Sequence, residues 1–417
     1  MKQLLWYDKL QLTVMLLMAA AMPISWQLGL WVALALAGVS LVKVVAQRRI
    51  GNPALGRGLR WSLIAVLVYW CLLAMTAFYS TDTANAWYIL GHKAVLLIFP
   101  LCFLLSDTSY LTLRRLRWLG YALLAAAVGV FLFFAAKSLP AIIGGASITS
   151  CIGEGAFDPR HHSYYAFYAA VALSFAYFEL AYFWPQLRGW LRGLLIASIP
   201  MLVAYIIAVD SRAGILSVVL IVVFVVLHQA IRFRRLLVAI VAALLLVGGG
   251  VGLTLLPGYN NPITDTISKL RADRGGDARV LITRSAWHVA KEDILVGHGV
   301  GDYKSLLVAR YDTDGYQDIL DPNLNAHNQF METLLAAGIV GLLALLAMLF
   351  LPFLLAWHAR GDCLSVVSLF TALIAFNLLF ESMLERQMGL LFIGYFLSVM
   401  VLIMSVEENK FGRVPKS

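Results

Sequence analysis

The sequence predicts an all-α polytopic membrane protein with about 12 transmembrane helices and one large loop containing interfacial helices. Three observations carry that expectation. The 417 residues are 61% hydrophobic and 13% charged, against roughly 45–50% and 25% in a soluble domain. A mean hydropathy of +0.82 leaves too little polar surface to cover globular domains. Apolar runs also recur at close to the length of about 20 residues that crosses a hydrocarbon core.

In order, the runs cover 10–26, 28–47, 61–79, 88–105, 116–136, 163–184, 190–209, 212–230, 234–256, 328–356, 362–380 and 388–406. Pro23 and the lone Gln27 separate the first two, which predicts a tight hairpin or a re-entrant element. The chain lacks a strongly basic start, and no small-residue cleavage site closes the first run, so that run is expected to stay as a span. Arginine clusters or short polar junctions bound the others. The expected division is 1–256 for nine spans, 257–327 for a large loop, and 328–417 for three spans and a tail.

With the amino terminus inside, 19 of the 32 Lys and Arg residues fall on the cytoplasmic side, five in short outer connections and eight in the long loop. That is the positive-inside bias, and it explains the net charge of +9 without nucleic acid. Four cysteines, Cys71, Cys102 and Cys363 in or beside apolar runs and Cys151 in a polar loop, exclude a disulfide scaffold and a thiolate metal site.

Polar residues gather on the outer side, in Lys137 to His162, in Asp210-Ser211-Arg212 and in Pro257 to Asn328. The last segment is about 72 residues long, and loops of that length usually carry structure or function. Its stretch from Arg279 to Asp293 mixes Val280, Leu281, Ile282, Trp287 and Val289 with Arg279, Arg284, His288 and Lys291, which predicts an amphipathic helix at the membrane surface. Arg160 beside His161 and His162, then Arg212, Arg279 and Arg284, form a set of placed guanidinium groups. Their planar forks match phosphate oxygens, so an anionic lipid substrate accounts for them together.

Ser211 is a good cap for a helix beginning at Arg212, and a capped helix start beside a guanidinium is an anion site. An ordinary Asp210–Arg212 helix-start pair is the plainer alternative. In Asn323-Leu324-Asn325-Ala326-His327-Asn328-Gln329, followed by Glu332, amides crowd around a histidine at the mouth of a span. Such groups require partners, which predicts a polar cavity. Histidine can accept a proton from a sugar hydroxyl, with Asn325 and Asn328 orienting its ring, although a histidine at a helix start is more often a cap. Gly297-His298-Gly299-Val300-Gly301 reads as a flexible turn. Asp312, Asp314, Asp318 and Asp321 read as a solvated acidic loop.

Asp210-Ser211-Arg212-Ala213-Gly214, Ala278-Arg279 with Trp287, the Gly297 to Gly301 turn, and His327-Asn328 running into Gly338 and Gly341 together resemble the O-antigen ligase and polymerase superfamily. The resemblance implies a cofactor-free, metal-independent GT-C glycosyltransferase of the bacterial inner membrane. It takes a glycan from undecaprenyl diphosphate and passes it, on the periplasmic face, to lipid A core or another glycan acceptor. It further implies that Arg212 and Arg279 hold the diphosphate and that His327 is the base. Arg160, His161 and His162 occupy a place where relatives often carry a His-Pro pair, here with Pro159 ahead of the cluster.

A lipid-linked glycan flippase is the rival of another class. Transporters place ionisable groups near the bilayer midplane, whereas these spans are nearly charge-free apart from Glu179. A polysaccharide polymerase would use the same donor. The single long loop before the His-Asn helix favours the ligase.

Overall fold

A computed structural model of the chain describes residues 4–145, 162–232, 278–316, 325–359, 361 and 363–411, with a few positions between 234 and 248. Among the described residues there are helices and no strands. We number the helices α1 (Trp6–Ile24), α2 (Trp26–Gln47), α3 (Arg57–Thr76), α4 (Thr83–Lys93), α5 (Val95–Leu105), α6 (Leu113–Ile143), α7 (His162–Phe183), α8 (Gly189–Ala208), α9 (Arg212–Arg232), α10 (Ala278–Glu292), α11 (Tyr303–Thr313), α12 (Gln329–Ala359), α13 (Cys363–Phe380) and α14 (Gln387–Phe411). Nine are long and apolar enough to cross a membrane, and α4 with α5, bent by 45°, forms a tenth candidate. Asp8, Lys9 and Gln11 dilute the apolar content of α1 and leave it outside that count.

The fold is the expected multi-pass helical one. The run at 234–256 lies almost wholly outside the described residues. The first two runs form a tight hairpin, because Ser25 after Pro23 is extended and its hydroxyl accepts the Leu28 N–H to cap α2. The run at 88–105 is not one straight span. It breaks after Lys93, whose ammonium turns aside to the Leu384 carbonyl and the Glu385 carboxylate.

α14 is the axis of the bundle. Its residues from Leu390 to Tyr395 are fully buried, and it packs among α2, α3, α5, α6, α12 and α13. The peripheral helices turn Trp31, Leu41, Val45, Trp61, Leu194, Leu343 and Trp357 outward, the apolar coat expected of a protein solvated by lipid.

At the arginine-rich end, buried charges are paired. Lys43 Nζ lies 2.6 Å from Asp8 Oδ1 and donates to Gln11 Oε1 at 3.0 Å. Arg117 donates to both Glu179 oxygens at 2.7 and 2.6 Å, so that buried carboxylate of α7 is neutralised there.

The opposite end holds a wedge. Within α12, Gly338 has φ 61° and ψ −162°, a region essentially restricted to glycine, and the helix breaks. The Gly297 to Gly301 turn enters the break. His298 and Gly299 N–H donate to the Leu335 and Ala336 carbonyls at 2.8 and 3.0 Å, while Ile339 and Val340 N–H donate to the Ile294 and Leu295 carbonyls at 2.9 and 3.5 Å. The freed backbone groups of the broken helix are thus satisfied, as burial requires.

The same turn grips the α3–α4 connection. Val300 N–H reaches Thr76 Oγ1 at 3.0 Å, and Asn85 donates to the Gly301 carbonyl at 2.8 Å. Asp302 accepts from Thr81 and Asp82 N–H at 2.6 and 2.9 Å. The expected flexible turn is therefore a fixed joint between the amino-terminal helices and α12.

Candidate functional site

The polar mouth of α12 is organised by its own sequence. Asn328 caps the helix, its Oδ1 accepting the Met331 N–H at 3.1 Å. Asn325 Oδ1 accepts the His327 N–H at 3.1 Å, which supports the left-handed backbone of His327 at φ 46°. Both amides expected to orient the imidazole instead hold backbone, because a chain turning into a helix leaves N–H groups that nearby Asn side chains reach first.

A carboxylate stands at the ring. Glu381, at the end of α13, places Oε1 3.5 Å from His327 Nδ1. Glu332, buried in the first turn of α12, accepts the Ala326 N–H at 3.1 Å and the Tyr303 hydroxyl at 3.4 Å. Burial first, and then Glu332, raise the Tyr303 phenol well above its ordinary range, so it stays a donor to that carboxylate. Gln329 Oε1 accepts the Leu384 N–H at 2.7 Å, tying the mouth of α12 to the α13–α14 connection. Sequence reasoning missed Glu381, Glu385, Lys93 and Tyr303. The available signal was the run Glu381-Ser382-Met383-Leu384-Glu385-Arg386, three charges in a short junction between apolar spans.

Arg212 opens α9 as expected. Ser211 Oγ accepts the Gly214 N–H at 3.1 Å, and a Cβ on Gly214 would lie 2.5 Å from that of Ala166. The starts of α9 and α7 are therefore side by side, and His162 opens α7. Asn377 of α13 donates to Ser217 of α9 at 2.9 Å. Arg212 is about one and a half turns above Ser217, and Glu381 about one turn above Asn377. The start of α9 and the His327–Glu381 pair thus reach the same end of the bundle.

Arg279 opens α10, half-buried, and Arg284 is exposed. The helix expected at the membrane surface also packs on protein. Ile282, Ala286, Val289 and Ala290 form a second apolar cluster with α11 and the mouth of α12, while Val280 and Trp287 face outward. Asp314 is not simply solvated, since Ser285 and Arg310 bind it at 2.5 and 3.0 Å. Arg160, His161, Asp318 and Asp321 lie outside the described residues.

Fold and site define a class, a multi-pass helical membrane protein whose polar chemistry collects at one end of its bundle. Residues 193–346 match the family model described as O-antigen ligase. The match makes this part of the chain similar to the O-antigen ligase and polymerase superfamily, whose members are glycosyltransferase-type enzymes. It spans Arg212, Arg279, the wedge turn and His327. No curated protein matches the chain.

Proposed function

We propose that the protein is an O-antigen ligase of the bacterial inner membrane, with both termini cytoplasmic and its site facing the periplasm. It transfers a glycan from undecaprenyl diphosphate to lipid A core. The division into 1–256, 257–327 and 328–417 belongs to this reading. The observation that carries it is the gathering of His327, Glu381 and the start of α9 at one end, inside or beside the family-matched segment.

In the step, an acceptor hydroxyl oxygen bonds to the anomeric carbon while the bond from that carbon to the diphosphate oxygen breaks. The hydroxyl proton passes to His327, and undecaprenyl diphosphate leaves with the bonding pair. Arg212 and Arg279 stabilise the charge on the departing phosphate, as oriented cations do in a site shielded from water. Glu381 beside Nδ1 orients the ring and favours the imidazolium once the proton arrives. Arg160, His161, His162 and Arg284 are assigned to substrate binding around this centre, as are Asn325 and Asn328 through the backbone they hold.

The test is the lipopolysaccharide of a deletion strain. Loss of every band above lipid A core, with lipid-linked polymer accumulating, supports the ligase. A core bearing a single repeat unit would make the protein a polymerase, and precursor trapped on the cytoplasmic side would make it a flippase.

A further inference from the structure

A second polar feature stands beside this centre. A cavity of about 400 Å³, the size of a small-molecule site, opens where the α1–α2 hairpin tip, α4, α11 and the α13–α14 connection meet. Trp26, Tyr88, His92, Lys304, Asn325 and Arg386 contribute to its wall, and neither Arg212 nor Arg279 does. Lys93, also in the wall, is neutralised by Glu385. Lys304 and Arg386 make no ion pair among the described residues, and both turn a positive charge toward one small volume. Tyr88 and His92 meet at a tilt of 55° with ring centres 4.5 Å apart, and Tyr88 is largely exposed. Gln387, fixed by its bond to the His92 carbonyl at 3.0 Å, keeps a buried Oε1 without a donor.

Two cations, the exposed Tyr88 ring and the Asn325 amide suit a ligand that is anionic at one point, apolar on a ring face and rich in hydroxyls. We propose that this cavity binds a phosphorylated sugar of the acceptor, and so acts as an acceptor subsite distinct from the donor diphosphate site. Asn325 makes the connection, since it lines the cavity and also holds the His327 backbone. A saccharide seated there lies next to the base. The assignment to the acceptor rests on the transferase reading above, whereas the sugar-phosphate chemistry rests on the cavity.

The test uses the full-length protein in phosphatidylcholine nanodiscs and the double variant Lys304→Gln/Arg386→Gln. Glucosamine 6-phosphate and glucosamine are titrated by calorimetry. The sugar phosphate is expected to bind the wild type in preference to the neutral sugar. The double variant should lose about tenfold or more of that affinity, the scale of a lost charge-assisted hydrogen bond. Affinity for undecaprenyl diphosphate should be unchanged, which also reports folding. In transfer assays the KM for lipid A core should rise with that for donor unaltered. Dephosphorylated core should be a poor acceptor for the wild type and lose nothing further in the variant.

Equal sugar-phosphate binding by wild type and variant would overturn the proposal, as would equal use of phosphorylated and dephosphorylated core. Displacement of glucosamine 6-phosphate by added phosphatidylglycerol, with the KM for core unchanged in the variant, would make the cavity a lipid head-group site and also overturn it. Phosphate-dependent binding lost in the variant, with no transfer to either core, would support the cavity's chemistry while removing the ligase reading.

Discussion

Replacing Gly338 with alanine tests whether the wedge holds the polar end together. At φ 61° and ψ −162° the new side chain meets backbone strain of roughly 1–3 kcal/mol. Its Cβ would also stand 2.2 Å from the Leu295 carbonyl oxygen, so the turn must withdraw. Four seam hydrogen bonds then weaken, at about 0.5–1.5 kcal/mol each. Strain and seam together give a loss of roughly 3–9 kcal/mol.

Gly315→Ala is the control. Gly315 has φ +75° with nothing within 4 Å of its would-be Cβ, so it should lose only about 1–2 kcal/mol of left-handed strain. Thermal unfolding of both variants in detergent reads the difference, and amide exchange at Ile339 and Val340 locates it. If Gly338→Ala unfolds at the same temperature as Gly315→Ala and those amides stay protected, the wedge does not carry the seam and the reasoning fails.

His327→Ala and His327→Gln should lower turnover by about 10² to 10⁴ with donor affinity kept. Near wild-type turnover in both would remove His327 as base, and loss of donor binding would move it to the phosphate site. Arg279→Lys should be nearly as harmful as Arg279→Ala, because an ammonium cannot supply the guanidinium fork, and full activity of the lysine variant in a transfer assay would refute that. EDTA should leave transfer by the purified protein intact, and loss of activity restored by Mg²⁺ would make the acidic run from Asp312 to Asp321 a candidate ligand set. Burial works against the charge of Asp302, but the N–H groups of Asp82 and Thr81 outweigh it and hold the carboxyl below its usual range. Its stabilisation is therefore present above the unfolded value, about 4, and is lost as pH falls through the folded one. Asp302→Asn should flatten that acid limb of the unfolding curve, and an unchanged limb would count against a stabilising hold of Asp302 on the α3–α4 connection.

The spans were legible because hydropathy is a property of single residues summed over a window, and Ser25, Thr112 and Ser211 cap helices by chemistry local to the chain. The partners of Lys93 were not legible, since they lie at Leu384 and Glu385, far along the chain. The same holds at the centre. His327 and Arg212 stand out in sequence by type and place, but the carboxylate facing His327 comes from Glu381, 54 positions on. The turn from Gly297 to Gly301 misled because glycines signal freedom locally. Here the turn is required by its fit, with Gly297 and Gly338 so close that a Cβ on either would strike the other segment's backbone.

The burial of α14 has a consequence for how the molecule is made. This helix leaves the ribosome after every helix that surrounds it, yet its Tyr395 hydroxyl reaches the Met15 carbonyl at 2.7 Å in the first hairpin. Until it arrives, the walls that will enclose it face lipid or one another. Packing between helices in a bilayer gains little from apolar burial alone, so the earlier helices have reason to remain loosely associated. The first hairpin must wait through most of synthesis for its partner, and insertion of α14 converts a loose ring into a closed bundle.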